Sequence, residues 1–274
     1  MYGVVTRNEE ELRWPEFDRA FFEVKDVTGR ATEPCADGIS MISCFGDNAA
    51  AEGNPDLVPV SDDGTRATRE EPYFDWAYVC PNKDDYRRGI LEMIDDAVAV
   101  TEDLRLDDVG FPRSEYCHCE DCTNRFEASE FDDWNEWRAA VITEFVAEAS
   151  DRIPGRTYLT LYPDPYPGHL YERAGLDLDA LSAHVDEFVV PLYDTYYGTT
   201  YWIETIASGF RSRLETPFSI ELYAVDVDVD DLIHAAEVAA EYGESVLFGY
   251  DASNARAAIR RKRAEENDGV SHGS

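Results

Sequence analysis

The sequence has few basic residues, and lysine is the scarcest of them. Of its 274 residues, 58 are acidic and 24 are basic, and only three are lysine: Lys25, Lys83 and Lys262. The formal charge of −34 argues against nucleic acid or an anionic membrane surface as a partner. The hydrophobic content of 44% and the aromatic content of 12% are too high for a disordered chain. A folded protein this acidic is typical of a halophilic, salt-rich cytoplasm, where ions screen its self-repulsion.

Long apolar runs and histidine are also lacking. No run approaches the roughly 18 residues of a membrane span, and the acidic start MYGVVTRNEEEL has neither the basic nor the apolar region of a secretory signal, so we expect a cytoplasmic protein. The five histidines form no ligand-spaced pair, which weakens the case for a metal-dependent hydrolase. There are six cysteines, and in a reducing compartment clustered cysteines indicate a metal site more than disulfides.

Short apolar runs alternate with helical patterns from the middle of the chain onward. This rhythm predicts parallel strands with right-handed crossovers, and therefore an α/β fold of the (β/α)8 TIM barrel type. The predicted strands are 38–45, 104–111, 157–162, 187–193, 218–224 and 245–250, and the predicted helices are 84–100, 132–153, 176–185, 201–214 and 229–242.

The first third of the chain fits this pattern less well. Segments 1–6 and 20–27 are candidates for the first two strands, but the segment between them is short and contains Pro15, so the barrel is predicted to be irregular or incomplete there. Residues 47–75 are predicted to form a long loop on one face. We expect one barrel domain over residues 1–264, followed by a flexible tail over 265–274.

Three cysteines fall within the six residues CHCEDC. Cys117, Cys119 and Cys122 have the spacing C-x-C-x2-C, which lets three thiolates converge on one tetrahedral ion if a fourth ligand comes from elsewhere. Cys80, in YVCPN, is the best fourth ligand, and His118 is its rival although its two cysteine neighbours place it awkwardly. Four thiolates leave no open coordination position, so the predicted cofactor is a structural zinc. The alternative is a tight loop of half-buried thiols.

The segments around these cysteines resemble a known group of enzymes. LDDVGFP at 106–112, YCHCEDCTNRF at 116–126 and CPNKDDYRRGI at 80–90 are similar to segments of glycoside hydrolase-like (β/α)8 barrels. One cysteine followed by C-x-C-x2-C also resembles the structural zinc site of family 42 β-galactosidases, and the resemblance covers about residues 38–252. The sequence departs from that family at the end of the 104–111 strand, where Asp107 and Asp108 stand in place of an Asn-Glu pair.

Acidic residues near the ends of two predicted strands are candidates for catalysis. Alternation in FSIELYA places Ile220 and Leu222 against the helices and Glu221 inside the barrel, and the same pattern in LRLDDVGF favours Asp107 over Asp108 as the inward acid. Active sites of such barrels lie at the carboxyl ends of the strands, and glycosidic cleavage needs two carboxylates. The resemblance implies an acid/base after the fourth strand and a nucleophile after the seventh. These two strands are the fourth and seventh if two strands precede residue 38.

Aromatic and acidic residues follow several other predicted strands. Aromatic faces stack on sugars while carboxylates accept from their hydroxyl groups, so these residues predict a carbohydrate-binding surface. They are Tyr162, Asp164, Tyr193, Asp194, Tyr223, Tyr250 and Asp251. The predicted function is a glycoside hydrolase. The alternatives are a barrel that binds carbohydrate without cleaving it, a metal-dependent hydrolase and a partner-binding scaffold.

Overall fold

A closed barrel of eight parallel strands forms the centre of the molecule. The computed structural model describes residues 1–193 and 200–271, and the side chains of 1–193 and 200–265. The strands are hydrogen-bonded in chain order: β1 Tyr2–Thr6, β2 Arg19–Lys25, β3 Ile39–Ser43, β4 Leu104–Asp107, β5 Thr157–Thr160, β6 Glu187–Leu192, β7 Phe218–Tyr223 and β8 Val246–Gly249. The (β/α)8 prediction is confirmed. The barrel is closed at its start, because β1 pairs with both β2 and β8, and the expected irregularity appears in β2, whose register with β3 shifts between Glu23 and Lys25.

Helices connect most of the strands and surround the barrel. They are α1 Asn48–Gly53, α2 Asp84–Val98, α3 Glu120–Glu127, α4 Trp134–Ser150, α5 His169–Ala174, α6 Leu178–Leu181, α7 Tyr201–Arg213, α8 Val229–Ala240 and α9 Ala252–Ser271. A 3₁₀ helix at Glu9–Arg13 takes the place of a full helix between β1 and β2. Helix α9 extends into the segment predicted to be a tail, and the division at residue 264 stays a prediction. Within residues 1–193 and 200–271, no helix has the length and apolar content to cross a membrane.

Side chains alternate between the inside and the outside of the barrel. Outward residues such as Leu104, Leu106, Ile220 and Leu222 belong to the main core beneath the helices. A separate apolar layer fills the middle of the barrel and consists of Val5, Phe21, Met41, Tyr158, Val189 and Leu247. Polar inward side chains lie above and below this layer. The side chains that could take part in binding or catalysis are therefore at the two ends of the barrel.

Strand β4 ends four residues earlier than the predicted 104–111 strand. Asp108 has φ of 50°, in the left-handed region that residues with a Cβ rarely adopt, and Gly110 has φ of 136°. The chain therefore turns immediately after Asp107. This turn brings the following segment toward the carboxyl end of the barrel, where it meets the long connection between β3 and α2.

That connection, residues 44–83, packs against the segment after β4. Ser61 forms an isolated bridge with Tyr116, and the amide of His118 donates to the carbonyl of Val60 at 2.6 Å. Within the connection, the amide of Cys80 donates to the carbonyl of Leu57 at 2.8 Å. The predicted long loop thus includes α1 and forms one wall around the β3 and β4 ends.

Candidate active site and cysteine cluster

The end of β7 and the end of β4 meet inside the barrel through a buried ion pair. Nη1 of Arg105 lies 2.6 Å from Oε2 of Glu221, and the two side chains are 1% and 0% exposed. The contact lacks hydrogen-bond geometry at both atoms. Nε of Arg105 donates to Oγ1 of Thr160 at 2.8 Å, and its guanidinium group lies 5.4 Å from the centre of the Phe21 ring. Arg105 is therefore held by Thr160 and the Phe21 ring, and it presents one edge to Glu221.

Burial determines the electrostatics of Glu221. Removal from water raises the pKa of Glu221, while Arg105 and the hydroxyl of Tyr193, which donates to Oε1, oppose that rise. Burial also acts against the charge of Arg105, but Glu221 and Asp107 raise the pKa of Arg105 so that it stays a cation. Arg105 therefore stays charged, and the ionisation of Glu221 depends on its contact with Arg105.

Asp107 lies at the same guanidinium group. Its Oδ1 is 4.0 Å from Nη2 of Arg105, and its side chain is 17% exposed. The two carboxylates are therefore separated by no more than about 9 Å, the sum of these two contacts and the width of the guanidinium group. This upper bound allows either of the separations that glycosidases use, about 5–5.5 Å in retaining and about 6.5–9.5 Å in inverting enzymes.

Asp108 lies in a different environment from Asp107. Burial and the neighbouring Asp107 raise the pKa of Asp108 to about 8, despite a hydrogen bond from Ser43. Oγ of Ser43 lies 2.6 Å from Oδ2 of Asp108 and 2.9 Å from the carbonyl of Gly46. Because one hydroxyl proton cannot serve both acceptors, a protonated Asp108 that donates to Ser43 satisfies both contacts. The geometry and the pKa thus agree on a neutral carboxylic acid.

A further acid, Glu23 on β2, faces the mouth and was missed in the sequence. Arg7 donates to its carboxylate, and the hydroxyl of Tyr250 donates to Oε1 at 3.2 Å. Burial raises the pKa of Glu23 against the opposing effect of Arg7. The alternation of RAFFEVK, with Phe21 and Glu23 on the same face, is the signal that would have found it.

Three predicted binding tyrosines cluster at the mouth. The ring of Tyr193 lies 5.4 Å from that of Tyr223 and 6.2 Å from that of Tyr250. Tyr162 lies apart from them, with the guanidinium group of Arg173 5.4 Å from its ring, and burial raises the pKa of Tyr162. Ring contacts among the described residues therefore join three of the four predicted tyrosines.

The predicted acidic partners of these tyrosines have local contacts. Oδ1 of Asp164 accepts from the amide of Tyr166 at 2.7 Å, and Oδ1 of Asp251 accepts from the amide of Asn254 at 2.9 Å in the first turn of α9. Asp194 lies outside the described residues. For Asp164 and Asp251, a role in binding stays a prediction beside these structural contacts.

A cavity of about 830 Å³ adjoins the tyrosine cluster on the α7 and α8 side. Tyr193 and Tyr223 contribute to its wall. Apolar side chains of α7 and the aspartates Asp226, Asp228 and Asp231 also line it. Glu221 is not among the lining residues. Tyr193 lies between this cavity and the Glu221 carboxylate, because its ring lines one and its hydroxyl contacts the other.

The four cysteines predicted to bind a metal come together in the structure. The Sγ atoms of Cys80, Cys117, Cys119 and Cys122 all lie within 4.8 Å of one another, with 3.3 Å between Cys80 and Cys122. Sulfurs in a tetrahedral zinc site are about 3.8 Å apart, so this arrangement could hold a metal ion. Burial and the neighbouring thiols raise the pKa of Cys80, and a bound cation would offset the repulsion between four thiolates.

The surroundings of this cluster also fit a closed metal site. Nδ2 of Asn82 lies 3.3 Å from Sγ of Cys122, and the amide of Val60 lies 3.4 Å from Sγ of Cys117. The rival ligand His118 is instead stacked on Trp134, with ring centres 4.6 Å apart and planes within 3°. The structure therefore favours Cys80 over His118 as the fourth ligand.

Comparison with solved structures finds similar barrels among glycoside hydrolases. It is similar to α-L-fucosidase isoenzyme 2 from Paenibacillus thiaminolyticus, with a TM-score of 0.69 and 13% identity over 97% of this chain and 50% of that one. It also matches the GH53 catalytic domain of Ignisphaera aggregans (TM-score 0.43, 12% identity, 87% of this chain and 75% of that one) and the Bacillus subtilis mannanase BCman (0.48, 12%, 94% and 82%).

The similarity to the fucosidase bears on the fold alone. The chain spans about half of the length of the fucosidase, and the identities are too low to carry over an activity. No model of a known protein family matches the sequence, and neither does any curated protein. The resemblance to family 42 therefore remains an expectation from the sequence, whereas the closed (β/α)8 barrel is observed.

Proposed function

We propose that the protein is a glycoside hydrolase whose chemistry takes place between β4 and β7 at the carboxyl end of the barrel. The observation that carries this proposal is the pair of carboxylates, Glu221 and Asp107, that share one guanidinium group within about 9 Å. Glu221 would act as the nucleophile or as the base for water, because Arg105 favours its ionised form.

The acid would come from the end of β4. Asp107 has the better geometry, since it faces the same guanidinium group as Glu221 and is partly exposed. Asp108 is the second candidate, since its pKa of about 8 keeps it protonated at neutral pH. The substitutions Asp107→Asn and Asp108→Asn will distinguish the two candidates. Loss of the true acid should slow cleavage of glycosides whose leaving group requires protonation.

The substrate would be a carbohydrate. The faces of Tyr193, Tyr223 and Tyr250 offer stacking surfaces for sugar rings, and the cavity beside them is large enough for a sugar or an attached group. Tyr162, Asp164 and Asp251 are proposed to bind at the edges of the same surface. A halophilic cytoplasm as the site of action stays a prediction from composition.

A barrel that binds carbohydrate without cleaving it is the second candidate function. The observation that favours it is that the Glu221 side chain is 0% exposed, with Arg105 and Tyr193 on its two oxygens. A nucleophile must contact the sugar, so catalysis requires Tyr193 to move away from Glu221 when substrate enters.

Substitution Glu221→Gln tests the catalytic proposal. The amide keeps the volume but cannot act as nucleophile or base, so we expect a loss of rate on the order of 10³-fold or more against aryl glycosides at high salt. Glu187→Gln, in an Arg–Glu pair at the opposite end of the barrel, is the matched control and should retain activity per folded molecule. Equal activity of wild type and Glu221→Gln would refute the assignment. A wild type that binds sugars but cleaves none would establish the second candidate.

We also propose that the cysteine cluster holds one structural zinc ion through Cys80, Cys117, Cys119 and Cys122. Metal analysis of the purified protein should find one zinc per chain, and Cys119→Ser should lose it together with thermal stability. Cys35→Ser, outside the cluster, is the control and should keep both. A metal-free wild type of unchanged stability would contradict the proposal.

A further inference from the structure

Arg105 occupies an unusual position for a charged residue. It points into the barrel from β4, two residues before Asp107, and its side chain is 1% exposed. Burying a cation of this size is unfavourable unless its charge and its donors are matched. Its contacts are divided between an anchor, Thr160 on β5, and two acids, Glu221 on β7 and Asp107 on β4.

The anchor fixes the direction of the guanidinium group. Nε donates to Oγ1 of Thr160 at 2.8 Å, and the Phe21 ring supports the group at 5.4 Å. A planar guanidinium held at Nε has its two terminal nitrogens in set positions. Here Nη1 lies 2.6 Å from Oε2 of Glu221, and Nη2 lies 4.0 Å from Oδ1 of Asp107.

We propose that Arg105 is a positioning residue that keeps the Glu221 carboxylate ionised and sets its place opposite Asp107. This inference rests on the proposed function for its catalytic meaning, but the charge of Glu221 can be measured without turnover. The barrel interior and Asp107 disfavour an ionised Glu221, while the hydroxyl of Tyr193 donates to its other oxygen and Tyr250 interacts with it electrostatically. Arg105 is the cation in direct contact with Glu221 among the described side chains. Without this cation, Glu221 takes up a proton and can no longer attack.

Arg105→Met tests the proposal through a pH profile. Methionine keeps much of the apolar stem, so we expect a loss of about 10- to 100-fold in kcat/KM at neutral pH, with the acid limb displaced to higher pH and activity partly recovered there. Thr160→Val removes the anchor alone and should displace the limb in the same direction by a smaller amount. It also supplies the test if Arg105→Met does not fold.

Ser219→Ala is the matched control. Ser219 contacts the guanidinium group of Arg19 at the other end of the barrel, as Thr160 contacts that of Arg105. Its substitution should leave the pH profile of the wild type unchanged. A loss of activity in Arg105→Met and Thr160→Val that is equal at all pH values would show a merely structural role and overturn the proposal.

A second readout separates this proposal from the proposed function. The titration of Glu221 can be followed by NMR of protein labelled with ¹³C at the glutamate carboxyls, with the signal assigned by its loss in Glu221→Gln. A midpoint at higher pH in Arg105→Met than in wild type supports the role of Arg105 even if no glycoside is cleaved, in which case the proposed function fails alone. An unchanged midpoint in an active enzyme overturns the role of Arg105 and leaves the function standing.

Discussion

The two ends of the barrel each contain a buried arginine–glutamate pair, and the two pairs differ in how completely they are satisfied. At the amino end, Nη1 of Arg19 donates to Glu187 at 3.0 Å, and Arg156 and Ser219 also donate to this carboxylate. At the carboxyl end, Glu221 has one guanidinium contact without hydrogen-bond geometry and one tyrosine hydroxyl.

The difference appears in the pKa values of the two acids. Burial acts against ionisation at both, but Arg19 and its neighbours hold the pKa of Glu187 below its ordinary value, whereas the pKa of Glu221 remains raised. The same two residue types thus stabilise the fold at one end and maintain a reactive group at the other. Counting ion pairs would not distinguish them, but counting the hydrogen bonds to each carboxylate does.

The largest expected effect is on stability at the amino end. Arg19→Met leaves Glu187 buried with Arg156 as its remaining cationic contact, so we expect the free energy of unfolding to fall by about 3–5 kcal/mol. Urea denaturation at high salt measures this loss, and aryl glycoside hydrolysis per folded molecule should be unchanged. A variant that is stable but inactive would show that the two ends are coupled.

An intermediate effect is expected in the pH dependence of stability, with opposite signs at the two ends. The lowered pKa of Glu187 contributes stability at pH values above its unfolded pKa, and that stability is lost as the pH falls. The raised pKa of Glu221 favours the folded state at low pH, and that contribution is lost as the pH rises through its folded pKa.

Two substitutions measure these contributions. The unfolding free energy at pH 7 minus that at pH 4 should shrink in Glu187→Gln and grow in Glu221→Gln, by at most about 1.4 kcal/mol for each unit by which the folded and unfolded pKa values differ. The change is smaller for Glu187, because much of its contribution is lost only below pH 4. Chemical denaturation at the two pH values gives the measurement. Changes of the same sign in both variants would remove the distinction between the two ends.

The smallest expected effect concerns salt. The wild-type unfolding midpoint should rise from low salt to molar KCl, because screening relieves the −34 charge more in the compact state. The difference between wild type and Arg19→Met should change by less than about 0.5 kcal/mol over that range, because buried pairs are poorly screened. A flat or falling wild-type midpoint would argue against adaptation to salt.

Much of the barrel could be predicted from local pattern, while the pairing within the site could not. Alternation in FSIELYA placed Glu221 inside, and cysteine spacing together with Cys80 predicted the observed cluster. The contact between Arg105 and Glu221 depends on how β4 and β7 face each other across a closed barrel, which no local pattern encodes. The early end of β4 depends on the left-handed conformation of Asp108, and aspartate adopts that conformation in some contexts only.

The cysteine cluster joins two parts of the chain that are distant in sequence. Cys80 and Cys122 are separated by 42 positions, and the segment between them contains α2, β4 and the acids Asp107 and Asp108. An ion held at both ends closes this segment into a ring, which lowers the conformational entropy of the unfolded chain wherever the ion stays bound.

Such a ring makes the segment one cooperative unit of opening. Local fluctuations that separate β4 from β3, where Ser43 pairs with Asp107, would have to move a segment whose two ends are tied together. Amide hydrogen exchange in β4 should then be slower while the ion is bound than after it is removed. The four thiolates lie outside the mouth, but in this way they would affect how long Asp107 and Asp108 keep their positions.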